Sequence, residues 1–280
     1  MKRKRWLWLV VAIVVLLGLG GWIIWENQSP MLTQTTVVCA DTPQELIGFR
    51  IAHISDFHNT KYPDDGLSMI DMIQAQNPDI IVITGDLIDS YNTDCERSLN
   101  FTQRLTSIAP VYYATGNHEG RLEEEYPDFE KELIKQGVHV LRNRQELIEY
   151  NGYAFRIIGI DDPRFNANKS AEEEALLLHY ISQFEVETAP FTLMLSHRPE
   201  GFDAYCDAKI DLVLTGHNHG GIVRVPFLGG LYAEGTIFPE HDSGLFTKDQ
   251  TVMFVHRGSG NNSVTFRVNN RPEVVILTLA

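Results

Sequence analysis

The sequence predicts an α/β fold, a mostly parallel sheet covered by helices, behind one N-terminal membrane-spanning helix. Three observations predict it. Along the body of the chain, short apolar runs ending in polar residues alternate with helix-like stretches, the pattern of βαβ units. Most of those runs are apolar nearly throughout, as strands covered on both faces are. Residues 6–25, WLWLVVAIVVLLGLGGWIIW, carry no charge, and at about 1.5 Å per residue they roughly match the 30 Å hydrocarbon core of a bilayer.

Four basic residues, Lys2, Arg3, Lys4 and Arg5, precede any acidic one. The positive-inside rule keeps such a cluster cytoplasmic and places the chain beyond the apolar stretch on the far side of the membrane. All four tryptophans, Trp6, Trp8, Trp22 and Trp25, lie near the ends of that stretch, where amphipathic indoles favour the headgroup level. A cleaved signal peptide has a shorter apolar region followed by a small-residue cleavage site, and ENQSPML offers none. Residues 1–5 therefore read as a cytoplasmic basic stub. Residues 6–25 read as an uncleaved signal-anchor helix, single-pass in the cell membrane, with the body extracytoplasmic.

Residues 26–47 are polar, with Ser29-Pro30 and Thr42-Pro43 as breakers around the β-branched run 35–38; they read as a linker with one short edge strand. Residues 48–280 form one domain. Its strands are expected at 49–55, 79–84, 111–115, 155–160, 191–196 and 212–215, and its helices at 66–76, 94–107, 123–136 and 171–183. From Ile222 the text turns to Gly, Pro and short runs such as 251–255 and 273–279, which suggest antiparallel strands.

With 44% hydrophobic residues in 280, the chain can bury a sizeable core. Its net charge is -14, and without the four leading basic residues the remainder has 19 basic against 37 acidic residues, or -18. Nucleic acid is therefore excluded as a partner, because that binding depends on Lys and Arg displacing counterions. The three cysteines, Cys39, Cys95 and Cys206, are far apart with no CxxC spacing and read as structural thiols.

Five segments place metal-competent side chains directly after an expected strand: Asp56-Phe57-His58, Gly85-Asp86, Gly116-Asn117-His118-Glu119, Ser196-His197 and Gly216-His217-Asn218-His219. In an open α/β sheet the carboxyl ends of the strands converge on one crevice, so residues distant in sequence meet there. Imidazole nitrogen with carboxylate oxygen suits Zn, Mn or Fe, whereas an all-oxygen set suits Mg or Ca. Each motif alone is weak: Gly-Asn-His also reads as an ordinary turn, and Asp86 also reads as a helix cap, although its place directly after IIVIT and Gly85 points it to the crevice. Their ordered combination points to one metal centre. Of the other histidines, His53, His139 and His179 are explained by packing or solvent, and His241 and His256 lie where they can border the cleft.

The order Asp-x-His, Gly-Asp, Gly-Asn-His-Glu, His, Gly-His-x-His resembles that of the calcineurin-like metallophosphoesterases. It is most similar to their bacterial membrane-associated or exported branch, through IAHISDFHN, GHNHGGIVRVPFLGGLY and FRVNNRPEVVILTL. The resemblance implies a four-layer αββα sandwich of two mixed sheets with a dinuclear centre at its loop edge. It implies that Asp56, His58, Asp86 and His219 hold one divalent ion and that Asp86, Asn117, His197 and His217 hold the other, with Asp86 bridging. It implies that His118 contacts the phosphate and protonates the leaving oxygen. Members of the branch often carry a twin-arginine export signal, and MKRKRW has no Arg-Arg pair.

Two such ions activate water to hydroxide and clamp phosphoryl oxygens for in-line attack, so the resemblance implies hydrolysis of a phosphodiester or phosphomonoester. A domain tethered outside the bilayer suits a lipid or envelope-polymer substrate. The alternatives are hydrolysis of a UDP-2,3-diacylglucosamine-type pyrophosphate, whose UDP-linked substrate is cytoplasmic, and a non-catalytic membrane-tethered metal-binding module, which a missing bridging Asp or motif His would favour. A dinuclear redox protein has no sequence feature behind it.

Overall fold

The computed structural model describes residues 2–167, 170–184, 190–261 and 266–280. Among these residues seven α-helices run α1 Lys2–Gln28, α2 Leu67–Gln74, α3 Cys95–Thr106, α4 Asn117–Gly120, α5 Tyr126–Lys135, α6 Ser170–Ser182 and α7 Phe202–Asp207. The strands are β1 Met31–Val37, β2 Arg50–Ile54, β3 Ile80–Thr84, β4 Val111–Ala114, β5 His139–Val140, β6 Arg144–Tyr150, β7 Tyr153–Gly159, β8 Thr192–Leu195 and β9 Leu212–Thr215. They continue as β10 Arg224–Val225, β11 Gly229–Gly230, β12 Tyr232–Ala233, β13 Thr236–Ile237, β14 Gly244–Lys248, β15 Thr251–Val255 and β16 Glu273–Leu279.

Two six-stranded sheets form the centre, ordered β1-β16-β2-β3-β4-β5 and β14-β15-β9-β8-β7-β6. Both are mixed. Strands β2 to β5 are parallel, and β16 runs antiparallel to β2 but parallel to β1. In the second sheet β7, β8, β9 and β15 are parallel, flanked by antiparallel β6 and β14. The late segment is thus antiparallel only in part, since β15 joins β9 in parallel.

Alternation of side chains along each strand builds three cores at once. Ile80 and Val82 point between the sheets, meeting Leu193, Leu212 and Phe254. Ile81 and Ile83 point the other way, into α2, α3 and α5 through Ile73, Phe101 and Leu133. On the far face Met194 and Val213 meet Leu177 and Tyr205 of α6 and α7. The result is the four-layer αββα arrangement, and β3, β8, β9 and β15 are buried end to end.

Element ends follow local chemistry. Asp94 caps α3 by accepting the Arg97 amide at 3.0 Å, and α5 begins at Tyr126 rather than 123 because Pro127 occupies its first turn, where a missing N–H costs nothing. The region expected as a linker carries β1, an edge strand that starts at Met31, earlier than its β-branched residues suggest, because it pairs with β16 over its whole length. Strand β6, RQELIEY, is half-exposed and charged, the composition that protects a sheet edge; its polar text hid it from periodicity. Helix α1 is long and apolar enough to cross a membrane, with mean hydropathy 2.7 over its apolar window and none of that window buried. Cys39, Cys95 and Cys206 are free thiols.

Candidate metal centre

The parallel strands β2, β3, β4, β8 and β9 end at one edge of the sandwich, and the five loops that leave them carry Asp56 and His58, Asp86, Asn117 and His118, His197, and His217 and His219. The loops are zipped together by main-chain bonds that extend the sheet: the Asp56 amide donates to Gly85 O at 3.0 Å, and the His58 amide to Asp86 O at 2.9 Å. Asp56, His58, Asp86, His217 and His219 all adopt positive φ, between 47° and 71°. Such backbone costs free energy for non-glycine residues and persists where surroundings over-determine it, which is common at functional sites. At Gly85 a β-carbon would lie 2.6 Å from Gly116 Cα and 2.7 Å from His197 Nδ1. Only hydrogen fits there, and it lets two ligand loops touch.

All eight side chains singled out in the sequence converge and are buried. His197 Nε2 lies 3.3 Å from Asp86 Oδ2 and 3.1 Å from Asn117 Oδ1. His58 Nε2 lies 3.6 Å from Asp86 Oδ2 and 3.3 Å from His219 Nε2, and His219 Nε2 lies 3.5 Å from Asp56 Oδ1. His217 turns Nδ1 inward, 3.1 Å from His197 Nε2. Three triads, Asp56-His58-His219, Asp56-Asp86-His197 and His58-Asp86-His118, bring their ligand atoms within 4.8 Å of one another. Asp86 and Asp56 each belong to two of them.

The outward atoms of these rings fix which nitrogen faces in. His197 Nδ1 donates to Thr84 O at 2.8 Å, which turns Nε2 inward. His58 Nδ1 faces Asp89 Oδ2 at 3.5 Å, His219 Nδ1 faces Arg267 at 3.2 Å, and His217 Nε2 faces Arg198 at 3.2 Å. The inward side crowds ring nitrogens against carboxylate oxygens. Arg198 and Arg267 can only donate, so in neutral His217 and His219 the proton sits on the inward nitrogen, and a divalent cation bound there would displace it. Asn117 tells the same story: one arm of its amide lies 2.9 and 3.1 Å from the His217 and His197 nitrogens, the other 3.0 Å from Arg121. Hydrogen bonding alone favours NH2 toward the imidazoles; a cation between them favours oxygen.

Charge agrees with the geometry. Burial opposes ionisation of Asp86, yet His197 and His118 hold it well below the usual carboxylate range. Burial pulls the His197 pKa down, but the Asp86 and Asp56 carboxylates overcome this and raise it to about 10. Burial, with Arg198 beside one and His58 beside the other, holds His217 and His219 well below the usual histidine range. The site thus pairs buried carboxylates with two neutral imidazoles, His217 and His219, and with His197, which the carboxylates hold protonated; these nitrogen and oxygen donors suit borderline divalent cations.

His118 sits at the rim. Its Nδ1 accepts the Ser90 amide at 2.9 Å, so a neutral ring carries its proton on Nε2. Burial pushes its pKa down to about 4. Other histidines are placed as the sequence suggested or more deeply: His53 is buried and bonded to Thr84 at 2.8 Å, and His256, expected at the cleft border, is wholly buried with Nε2 against His53 O. His241 does line the cleft, a cavity of about 850 Å³ that reaches His217 and Asn218. Arg198 is engaged with Asp162 at 2.6 Å and Glu173 at 3.1 Å.

Two supporting residues, Asp89 and Arg267, escaped motif reading, and a third, Glu119, lay inside a motif without a role of its own. Asp89 is three positions beyond Asp86, and that short spacing was its only signal. Glu119 receives four backbone amides, those of Asp86, Leu87, Ile88 and Gly116. Arg267 is buried behind His219, remote from every ligand motif, in the segment FRVNNRPEVVILTL that only the family resemblance singled out.

The sequence pattern of the calcineurin-like phosphoesterases matches residues 49–221. YkuE of Bacillus subtilis, an uncharacterized metallophosphoesterase, is 26% identical over 88% of this chain and 84% of its own length. The Escherichia coli phosphodiesterase YaeI is 28% identical over 82% of each chain. A Danio rerio transmembrane protein with a metallophosphoesterase domain is 25% identical over 97% of this chain and 61% of its own length.

Proposed function

The chain belongs to the calcineurin-like phosphoesterase family, and from that premise we propose that it is a membrane-tethered hydrolase of a phosphodiester or phosphomonoester, working with two divalent transition-metal ions, Mn, Zn or Fe. The observation that carries this reading is the convergence of Asp56, His58, Asp86, Asn117, His197, His217 and His219 on one buried pocket, where three overlapping triads bring carboxylate oxygens and ring nitrogens within 4.8 Å of one another. Asp56, His58, Asp86 and His219 would hold one ion, and Asp86, Asn117, His197 and His217 would hold the other. When bound, the two ions supply Lewis-acid stabilisation of the phosphoryl oxygens and acidify water.

The protein's own groups do the rest. Asp86 is held in place by the His118 amide, which donates to its Oδ1 at 2.8 Å. His118 offers Nε2–H toward the cleft and donates to the leaving ester oxygen. An anionic phosphate within hydrogen-bond reach raises the proton affinity of this ring from its burial-lowered value. Asp89, 3.5 Å from His58 and 4.0 Å from His118, orients both rings.

Helix α1 spans the cell membrane with residues 1–5 cytoplasmic and the body outside, which favours an envelope substrate over a nucleotide-linked one. The supporting observations are its apolar window and the uncharged span between two tryptophan pairs.

The test is hydrolysis of bis-p-nitrophenyl phosphate and p-nitrophenyl phosphate by the full chain in nanodiscs, with Mn²⁺, with chelator, and with Asp86→Ala. Manganese-dependent turnover lost in the variant supports the reading. A folded protein that binds two ions and turns over neither ester counts for the binding-module alternative.

A further inference from the structure

We infer that the tip of the β10–β11 hairpin, Phe227-Leu228, is a second membrane contact that seats the metal-site cleft against the same bilayer that α1 crosses. The inference rests on the reading of α1 as a membrane span.

The end of α1 is bolted to the body. Asn27 Nδ2 donates to Arg267 O at 2.9 Å while the Arg267 amide donates back to Asn27 Oδ1 at 2.7 Å. The Asn269 amide donates to Glu26 at 2.9 Å, and the Arg271 guanidinium lies 4.9 Å over the Trp25 ring. Trp25 closes the uncharged span, so the membrane surface passes close to residues 267–271 wherever α1 is inserted.

That anchored segment is also the partner of the hairpin. Val223 bridges Val268, the Arg224 amide donates to Val268 O at 3.0 Å, and Asn269 Nδ2 donates to Arg224 O at 3.1 Å. From Arg224 to Phe227 is three residues, at most about 10 Å of chain, comparable to the depth of the interfacial layer that membrane-surface segments occupy.

The tip is built to be wet or in lipid, and its residues are wrong for water. The Leu228 amide closes the turn on Val225 O at 3.0 Å, and Phe227 stands there with φ 69° and its ring fully exposed. Pro226 suits the turn, but a corner at positive φ ordinarily takes Gly or Asn. Leu228 and Phe266, the latter beside Arg267, are also more than half exposed, at 67% and 51%. Contiguous exposed apolar groups mark a protein or membrane contact. The domain's net charge of -18 after the leading basic residues provides no general attraction to an anionic leaflet, which leaves apolar insertion as the source of binding.

The hairpin is coupled to the site. Gly221, next to the ligand loop, has its α-carbon so close to Gly230 of β11 that a β-carbon on it would clash, and Asn270 donates to His219 O at 2.7 Å. The following hairpin, β12–β13, contributes Ala233, Glu234 and Thr236 to the wall of the cavity that reaches His217. A hairpin lodged in the interface therefore holds the cleft mouth at the headgroup layer, where the ester of a membrane lipid can enter without leaving the bilayer.

The experiment labels Phe227→Cys, in a Cys95→Ser background of the full chain, with an environment-sensitive NBD fluorophore; Leu228→Cys is a second position in case the turn resists the first. Proteoliposomes of phosphatidylethanolamine and phosphatidylglycerol carry doxyl-labelled phosphatidylcholine as quencher, and Leu147→Cys, exposed on β6, is the control. The expected result is blue-shifted emission at the tip, quenched several-fold more than at 147. Water-like emission from a tip label on protein that still floats with vesicles after alkaline washing overturns the inference and leaves α1 as the span. Equal quenching at 147 also overturns it, because the whole domain then lies on the bilayer. Protein that does not float refutes the α1 reading and this one with it.

Discussion

The Glu119 carboxylate accepts the Asp86 amide at 2.9 Å and, through the same Oε2, the Gly116 amide at 2.8 Å. One side chain thus ties the loop that carries Asp86 to the loop that carries Asn117. Its other oxygen takes the Leu87 and Ile88 amides.

Glu119→Gln places an NH2 against two backbone donors. It is expected to cost about 2–3 kcal/mol of stability and to weaken metal affinity about 10- to 100-fold. Chemical denaturation and competition with a metal indicator measure the two effects. Wild-type metal affinity in a destabilised variant would confine Glu119 to folding.

Gly85 and Gly152 both have φ near +80° to +90°, but only Gly85 is crowded. Gly152→Ala is expected to lose about 1–2 kcal/mol from left-handed backbone alone. Gly85→Ala adds a clash with Gly116 and is expected to lose roughly 3 kcal/mol or more, together with metal binding. Thermal unfolding of the pair, with and without Mn²⁺, separates backbone strain from loop contact.

His118→Ala is expected to lower kcat about 100- to 10,000-fold with the metal content unchanged. The loss should be larger for an alkyl phosphate than for p-nitrophenyl phosphate, whose leaving group needs little protonation. Equal losses on both would reassign His118 to binding.

Removing metal leaves Asp56 and Asp86 buried beside imidazoles without a cation. Free Mn²⁺ at a hundredfold excess over Kd is expected to stabilise the wild type by about 2.7 kcal/mol for each site filled. Asp86→Ala should respond far less, and calorimetry with and without chelator reads the difference.

The sequence by itself determined the α/β class, the apolar N-terminal span and the list of side chains that converge on the candidate metal site. It could do so because these are local signals: alternating or continuous apolar runs set strands, uncharged length sets a span, and His, Asp and Asn directly after strands are visible one segment at a time. Its strand ends fell within two residues of those in the structure for β2, β3, β4, β8 and β9, because the Gly or polar residue that ends each run also opens the ligand loop. The tertiary structure alone decided which ring nitrogen faces inward, since Thr84 O, Asp89, Arg198 and Arg267 come from distant segments. It alone revealed the polar edge strand β6 and the joining of Glu26 and Asn27 to residues 267–269, some 240 positions away. Pairings of that kind depend on which surfaces meet after the cores form, and no periodicity within a single segment records them.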